Sequence, residues 1–563
     1  MNINYCKPKI INLDVLDKEY QENNQNTELQ YNPYHIKDLQ LYNPIYNRLF
    51  KLNENNFSTI ALNHPYHINN LHSVTNYNET VFEDKPVFVK FSPLLDPYRY
   101  MVGKYDVDDY KIRKMPRFDS TEESVFSKIL DSNNAAYVDG FFNYLSCMML
   151  HNHNFVHGID FYGSYVGLQE KHRVCITDDL DFLRNSTFFN DNIGKLFCVE
   201  DCDRTFYDFN DVNSRRNKQK LVFDYDDNIS IECDELSVID CDNDNIESNT
   251  EIVYEKKSNS SSNSSSSYSS SSYSDSDVNY SSDDDDDDDD DDDESCSSSE
   301  SDECSSESES DDEEVYGYIN NFPVQMICME KCNGTLDELF VNDDINIETG
   351  ASILFQVIMS LIVYQKVFNL THNDLHTNNI MYINTEIEFL FYKYEGITYK
   401  VPTYGKIIKI IDFGRGIYKF QGNLFCSDSF GPDGDAVTQY NIKPFLNKKR
   451  PIIEPNNSFD LCRLGSSIFD FITDIDTDVK DMDELQKTIN RWCLDDNGKN
   501  VLYKRNGEER YPSFKLYKMI SRTVHNHTPE LQLNEPFFNQ FKSDDVQDDK
   551  CMDIDQFPPL NEV

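Results

Sequence analysis

The chain has 563 residues, 38% of them hydrophobic, with 35 Tyr and 37 Phe; that is ample material for a core and excludes disorder throughout. Its formal charge of −50 argues against direct binding to a nucleic-acid backbone, which needs a basic surface, and favours a basic protein partner or substrate. Fifteen cysteines without a repeated spacing, and a start (MNINYCKPKI) without a secretory pattern, lead us to expect reduced thiols in the cytoplasm and no zinc site.

Residues 1–44 read as an N-terminal extension and 45–202 as globular. Within the latter, PVFVKF (86–91) alternates like a strand and YVDGFFNYLSCMML (137–150) has the apolar density of a helix. FVHGIDFYGSYVG (155–167) reads as a pair of strands. His151, His153 and His157 fall at this transition with no carboxylate pattern beside them, so no metal site is expected there. From 203 to 316 aromatic density falls, and the chain passes through a Ser tract (258–274) and an unbroken Asp run (283–293). Between Asp275 and Glu314 it carries 23 acids and no Lys or Arg. Such a stretch buries too little apolar surface to offset its ordering entropy and is expected to be a disordered insert. Its serines, set among acids in SCSSSESDECSSESESDDEE (295–314), are candidate phosphorylation sites. The globular pattern resumes at 317–332 with VQMICMEKC and continues over 333–541; an acidic tail occupies 542–563. The longest apolar stretch, ASILFQVIMSLIVY (351–364), is too short to span a bilayer and reads as a core helix, so no membrane association is expected.

The segment THNDLHTNNIMYI (371–383) carries the chemistry. Asp374 is followed five residues on by Asn379, which suits a loop where a carboxylate orients an attacking hydroxyl and an amide oxygen reaches magnesium beside phosphates. His372 is read as a structural hydrogen-bonding residue of that loop. KIIKIIDFGRG (406–416) is a β-rich run ending in Asp412-Phe413-Gly414, the placement of a second magnesium ligand. Upstream, Lys90 ends the alternation VFVK (87–90), where it would neutralise phosphate charge.

With these elements in order, the chain resembles a eukaryotic-type protein kinase, and is most similar to the divergent serine/threonine kinase-like proteins encoded by large DNA viruses. The resemblance covers roughly 45–200 and 317–541. It implies an α+β, bilobal fold: a β-rich N-lobe interrupted by the acidic insert, and a mostly helical C-lobe. It also implies ATP and Mg2+ as cofactors and phosphoryl transfer to Ser/Thr hydroxyls of protein. Asp374, Lys90 and Asn379 would be catalytic, and Asn379 and Asp412 would hold the metal. Met329 would precede the interlobe hinge, with Glu330 to Cys332 offering backbone groups to adenine. GTLDELF (334–340) resembles the helix after the hinge, and HNHTPELQLNEPFF (525–538) the closing helices. In NSFDLCRLGSSIFDF (457–471), Asp460 would hold the catalytic loop from beneath. The tethered Ser-rich insert is expected to be autophosphorylated, and the location would be host cytoplasm or virion for a viral chain.

The chain also departs from that pattern. No Gly-rich loop precedes Lys90, since the first glycine is Gly103. The acid that would pair with Lys90 is either Asp139 or Glu123. Asn373 replaces the usual arginine, His376 stands where lysine is usual, and 431–451 contains no A-P-E. The loop HNDLHTNN equally resembles those of aminoglycoside- and choline-kinase-type phosphotransferases and of haspin-like kinases. A pseudokinase scaffold and a small-molecule phosphotransferase therefore stand as alternatives.

Overall fold

Alternating side chains build the first sheet of the protein, seen in a computed structural model that describes residues 3, 5–6, 10–23, 31–177, 179–200, 314–473, 477–545 and 550–560. The acidic insert expected at 203–316 lies outside the described residues except for its last three positions. Strand β1 is Ile36–Gln40, and β2, β3 and β4 are Tyr66–Asn70, Ser73–Asn76 and Phe82–Asp84. β5 is Val87–Pro93, followed by helix α1, Ala135–His153. Then come β6 (Phe161–Cys175), β7 (Phe197–Val199) and β8 (Tyr316–Glu330). They form an antiparallel five-stranded sheet in the order β1–β6–β8–β5, with β7 beside β8. Along β8, Met326 and Cys328 turn into one apolar cluster and Ile327 and Met329 into another, the period-2 signature of a strand covered on both faces. β2, β3 and β4 make a sheet of their own, so the edge of β5 away from β8 pairs with no strand among the described residues.

α1 begins where the Asn134 side chain accepts from the Ala136 amide and ends at Asn154 in the left-handed region, φ 53°. It is buried from Ala136 to Met149. Gly140 permits its close approach to β8, because a Cβ there would fall 2.4 Å from Gln325 Nε2.

The second half starts with α2 (Leu336–Val341) and α3 (Ile347–Phe368). An Asn346–Thr349 capping box opens α3 and Asn369, φ 50°, closes it. At 22 residues α3 outruns the stretch marked by composition and is long and apolar enough to cross a membrane. Even so, 83% of its most apolar window is buried inside the protein. Next come β9 (Ile380–Asn384), β10 (Phe389–Tyr394), β11 (Ile397–Pro402) and β12 (Lys406–Ile410). β9 pairs antiparallel with β12, and β10 with β11. α4 (Phe459–Ile472), α5 (Glu484–Trp492) and α6 (Lys515–Thr523) complete the helical part, and β13 (Cys551–Asp553) adds parallel to β10.

The chain is therefore α+β, and three segments differ from expectation. The pair of strands expected at 155–167 is one long strand, β6. Residues 155–160 instead form a turn closed by Gly158 N to Phe155 O at 2.9 Å and anchored by His157, which bonds Ile408 O and Tyr392 Oη at 2.7 Å each. Residues 36–40 of the presumed N-terminal extension belong to the main sheet as β1. The acidic tail supplies β13, because its Met552 and Ile554 side chains are buried despite the acids around them. The cysteines whose side chains are described are free.

Candidate active site

β5 turns Lys90 to the α1 face of the sheet, opposite Ile327 of β8. Its ammonium lies 2.8 Å from Asp139 Oδ2 and 2.8 Å from Asp412 Oδ1. Of the two acids expected to meet Lys90, only Asp139 does so; Glu123 is exposed in a turn. Asp139 is the acid of an otherwise apolar helix and also accepts from the Phe413 amide and Asn143 Nδ2, both at 2.9 Å. Burial raises the Asp139 pKa, with Lys90 working against it. For Lys90 itself burial disfavours the ammonium, but Asp139 and then Asp412 outweigh it and raise the pKa. Asp412 follows β12 with φ at 63° and a side chain 44% exposed. Burial opposes its charge, yet Lys90 outweighs this and holds the carboxyl below the usual range.

The Asp374 loop is tied down from three sides. From α4, buried Asp460 accepts the His372 and Asn373 amides at 2.9 Å each. His372 Nε2 donates to Ile411 O at 2.9 Å while Nδ1 accepts from the Asp374 amide at 3.3 Å, the structural role expected of it. Asn373, φ 66°, donates to Thr371 O and Arg415 O and accepts from the Tyr440 hydroxyl. It thus replaces a cation by a buried strut between this loop and the segment after Asp412. The Phe413 ring packs between Phe142 of α1 and His372, with centroids 4.4 and 5.3 Å away. Asn379 precedes β9 and its backbone oxygen accepts from the Ile411 amide at 3.0 Å, so Asn379 and Asp412 sit at adjoining strand ends. Asn379 Nδ2 donates to Asp374 O at 2.8 Å, leaving the amide oxygen as the atom suited to a cation.

Asp374 is the most elaborately held of these groups. Its Oδ1 accepts from the Tyr517 hydroxyl at 2.7 Å, and its Oδ2 lies 3.9 Å from Arg415 Nε. Arg415 also pairs with Asp435. Burial opposes the Asp374 charge, but Arg415, His376 and Arg463 overcome it and hold the carboxyl far below the usual range. His376 is pushed down to about 4 by burial, against the pull of Asp374. Its ring is neutral at pH 7 and cannot supply the cation that lysine provides. Sequence reasoning missed Tyr517, Arg463 and Arg415; only Arg415, adjoining Asp412-Phe413-Gly414, carried a local signal.

The expected hinge residues are placed unevenly. Met329 is buried, in register with Phe88. Glu330 is committed inward by its amide and its side chain. Its amide donates to Asp160 O at 2.9 Å, and its carboxylate accepts from Lys409 at 2.8 Å and the Asp160 amide at 2.8 Å. The Lys331 amide donates to Pro86 O. Among the described residues the Cys332 amide makes no such backbone bond, so it is the donor in this stretch still available to a ligand. Phe88, two residues before Lys90 on the same strand face, is 48% exposed. Next to Glu330, His151 does meet a carboxylate: its Nε2 is 2.8 Å from Asp160 Oδ1, and Cys147 lies beside both. Lys85, 3.4 Å from Asp160, also serves this pair, which makes it an ion-paired cluster.

No protein-family model matches the chain. Part of it is similar to the serine/threonine-protein kinase haspin of Mus musculus, 31% identical over 108 residues. That match covers 18% of this chain and 14% of the relative; the haspin of Bos taurus gives the same figures. The chain thus spans about a seventh of the length of these curated relatives. The similarity is to a protein kinase-like family and is confined to a short region.

Proposed function

We propose that this chain transfers the γ-phosphoryl group of ATP to Ser/Thr hydroxyls of protein, on a bilobal kinase-like fold. The N-lobe would be the β1–β6–β8–β5 sheet with α1, and the C-lobe the region 333–541 built on α3 and α4. One observation carries this reading: Lys90 is bound at 2.8 Å by both buried Asp139 and half-exposed Asp412. One carboxylate suffices to neutralise a buried lysine. Here a second is spent on it at a strand end, on a positive-φ residue, beside the Asp374–Asn379 loop. The partial similarity to haspin points the same way.

In this reading Asp374 orients the acceptor hydroxyl, Lys90 meets the phosphates, and the Phe88 ring offers a face to the base. The Asn379 amide oxygen and the Asp412 carboxylate are hard oxygen donors that fit Mg2+. That ion, when bound, supplies charge neutralisation at the phosphates. Positioning and electrostatics then account for catalysis. Given the charge of −50, the favoured substrate is a basic protein in the cytoplasm, with the Ser-rich insert as an autophosphorylation target. The test is transfer from radiolabelled ATP by wild type against Asp412→Asn. Loss of transfer in the variant supports the reading, and equal transfer by both refutes it.

A pseudokinase scaffold is the second reading, favoured by the edge of β5 that pairs with no strand among the described residues and by the neutral His376. Absence of any Mg-ATP-dependent thermal stabilisation at roughly millimolar nucleotide would select it.

A further inference from the structure

Arg463 of α4 is almost fully buried, yet its guanidinium makes no ion pair among the described residues and its Nη1 has no hydrogen-bond partner there. A buried cation is expensive unless a counter-charge serves it. The one directional contact of its side chain is Nε to the Tyr517 hydroxyl oxygen at 2.7 Å, and that hydroxyl lies 2.7 Å from Asp374 Oδ1. Tyr517 comes from α6 and is wholly buried, with the Arg463 guanidinium 5.1 Å and the Arg415 guanidinium 5.7 Å from its ring centre. The counter-charge of Arg463 is therefore Asp374, reached through a phenol.

The order of donation follows from valence. Arg463 has protons only to give, so the phenolic oxygen accepts from it, and the single phenolic proton is left for Asp374. Oδ1 of Asp374 is engaged by a charge-assisted bond of fixed direction. That bond sets the rotamer of the carboxylate and leaves Oδ2, 3.9 Å from Arg415 Nε, as the oxygen to meet an incoming hydroxyl.

We propose that Tyr517 and Arg463 are positioning residues that aim the Asp374 carboxylate, through the relay Arg463 Nε to Tyr517 Oη to Asp374 Oδ1. The proposal rests on the phosphotransferase reading and adds residues to it that no local motif marks.

The experiment compares wild type, Tyr517→Phe and Arg463→Lys in steady-state transfer from radiolabelled ATP, with myelin basic protein as the acceptor. Thermal unfolding is followed in parallel. The expected result for Tyr517→Phe is a turnover roughly 10- to 100-fold lower, the loss of one charge-assisted bond at a positioned group. KM for ATP stays within about two-fold, since Lys90 is untouched. Arg463→Lys keeps the charge but loses the aimed Nε–H, and falls less. A folded Tyr517→Phe with wild-type turnover overturns the proposal while leaving the phosphotransferase reading intact. If Tyr517→Phe does not fold, unchanged turnover in Arg463→Lys overturns it instead. An inert wild type overturns both.

Discussion

Replacing Asp139 by alanine removes more than the partner of Lys90. The carboxylate accepts from Lys90 Nζ at 2.8 Å and from the Phe413 amide at 2.9 Å, the latter buried under α1. Losing a bond to a charged donor is worth about 1.5–3 kcal/mol, and leaving the amide without an acceptor about 1–3 kcal/mol. Two effects reduce the sum. Lys90 keeps Asp412 at 2.8 Å, and the burial that raises the Asp139 pKa shows that the anion itself is held at a penalty. The net expectation is a destabilisation of about 2–4 kcal/mol, overlapping the lower end of the roughly 3–5 kcal/mol found for breaking one side of a buried ion pair. Asp139→Asn retains an acceptor for Phe413 and should lose less, about 1–2 kcal/mol. Urea unfolding at neutral pH checks this: the midpoint should fall in the order wild type, Asn, Ala, with the slope unchanged. A loss under about 0.5 kcal/mol for Asp139→Ala, the level of an ordinary surface change, would refute the view that this carboxylate joins α1 to the Asp412 segment.

Gly158→Ala should destabilise by about 1–3 kcal/mol, because its Cβ would fall 2.5 Å from Ser146 O, a backbone atom of α1 that cannot give way; thermal unfolding reads this directly. His67 is buried beside His64 and held neutral, its pKa pushed from 6.5 down to about 4 by burial. A folded value below the unfolded one means its stability contribution is complete above pH 6.5 and is lost as pH falls toward 4. That loss is about 3 kcal/mol, and His67→Gln should make the acid limb of unfolding free energy correspondingly shallower. Lys90→Met should abolish nucleotide-dependent stabilisation, a term worth about 2.7 kcal/mol at a hundred-fold excess over Kd, and a melting shift with Mg-ATP that survives the substitution would contradict the role given to Lys90.

What could be read in the sequence was what chemistry demands locally. Asp374 and Asn379 stand five residues apart because one short loop must hold both, and Asp412 could be found because a strand must end where a ligand is presented. Asp139 was reached through the resemblance, as one of two acids that could meet Lys90, although an acid inside a helix as apolar as YVDGFFNYLSCMML needs a partner whatever the fold. Groups that act across the chain left no such trace. Tyr517 meets Asp374 from 143 positions away, and nothing in KLYKMISRT distinguishes it from a core tyrosine. Lys409 looks like a solvated residue of an alternating strand, yet it is 2% exposed and spans Gly158 O and Glu330 at 2.6 and 2.8 Å. Both faces of β12 are covered, so the alternation carried no information about which side was wet.

The absence of glycine before Lys90 was equally plain, but its consequence needed the topology. A glycine-poor hairpin could still have lain along β5; instead β2, β3 and β4 form a separate sheet, with β3 in the middle, whose Ile68 and Val74 pack on the face opposite Lys90. The strand bearing Lys90 is thus open along one edge among the described residues. A nucleotide in the proposed site would be gripped by Lys90, Phe88 and the Asp412 segment and left uncovered on that side. Closing an active site strengthens its electrostatics by excluding water. An uncovered site must gain the same preorganisation from groups beneath the substrate, and Asp374, the carboxylate proposed to orient the acceptor, is accordingly held by Tyr517 and Arg415, with Arg463 behind Tyr517.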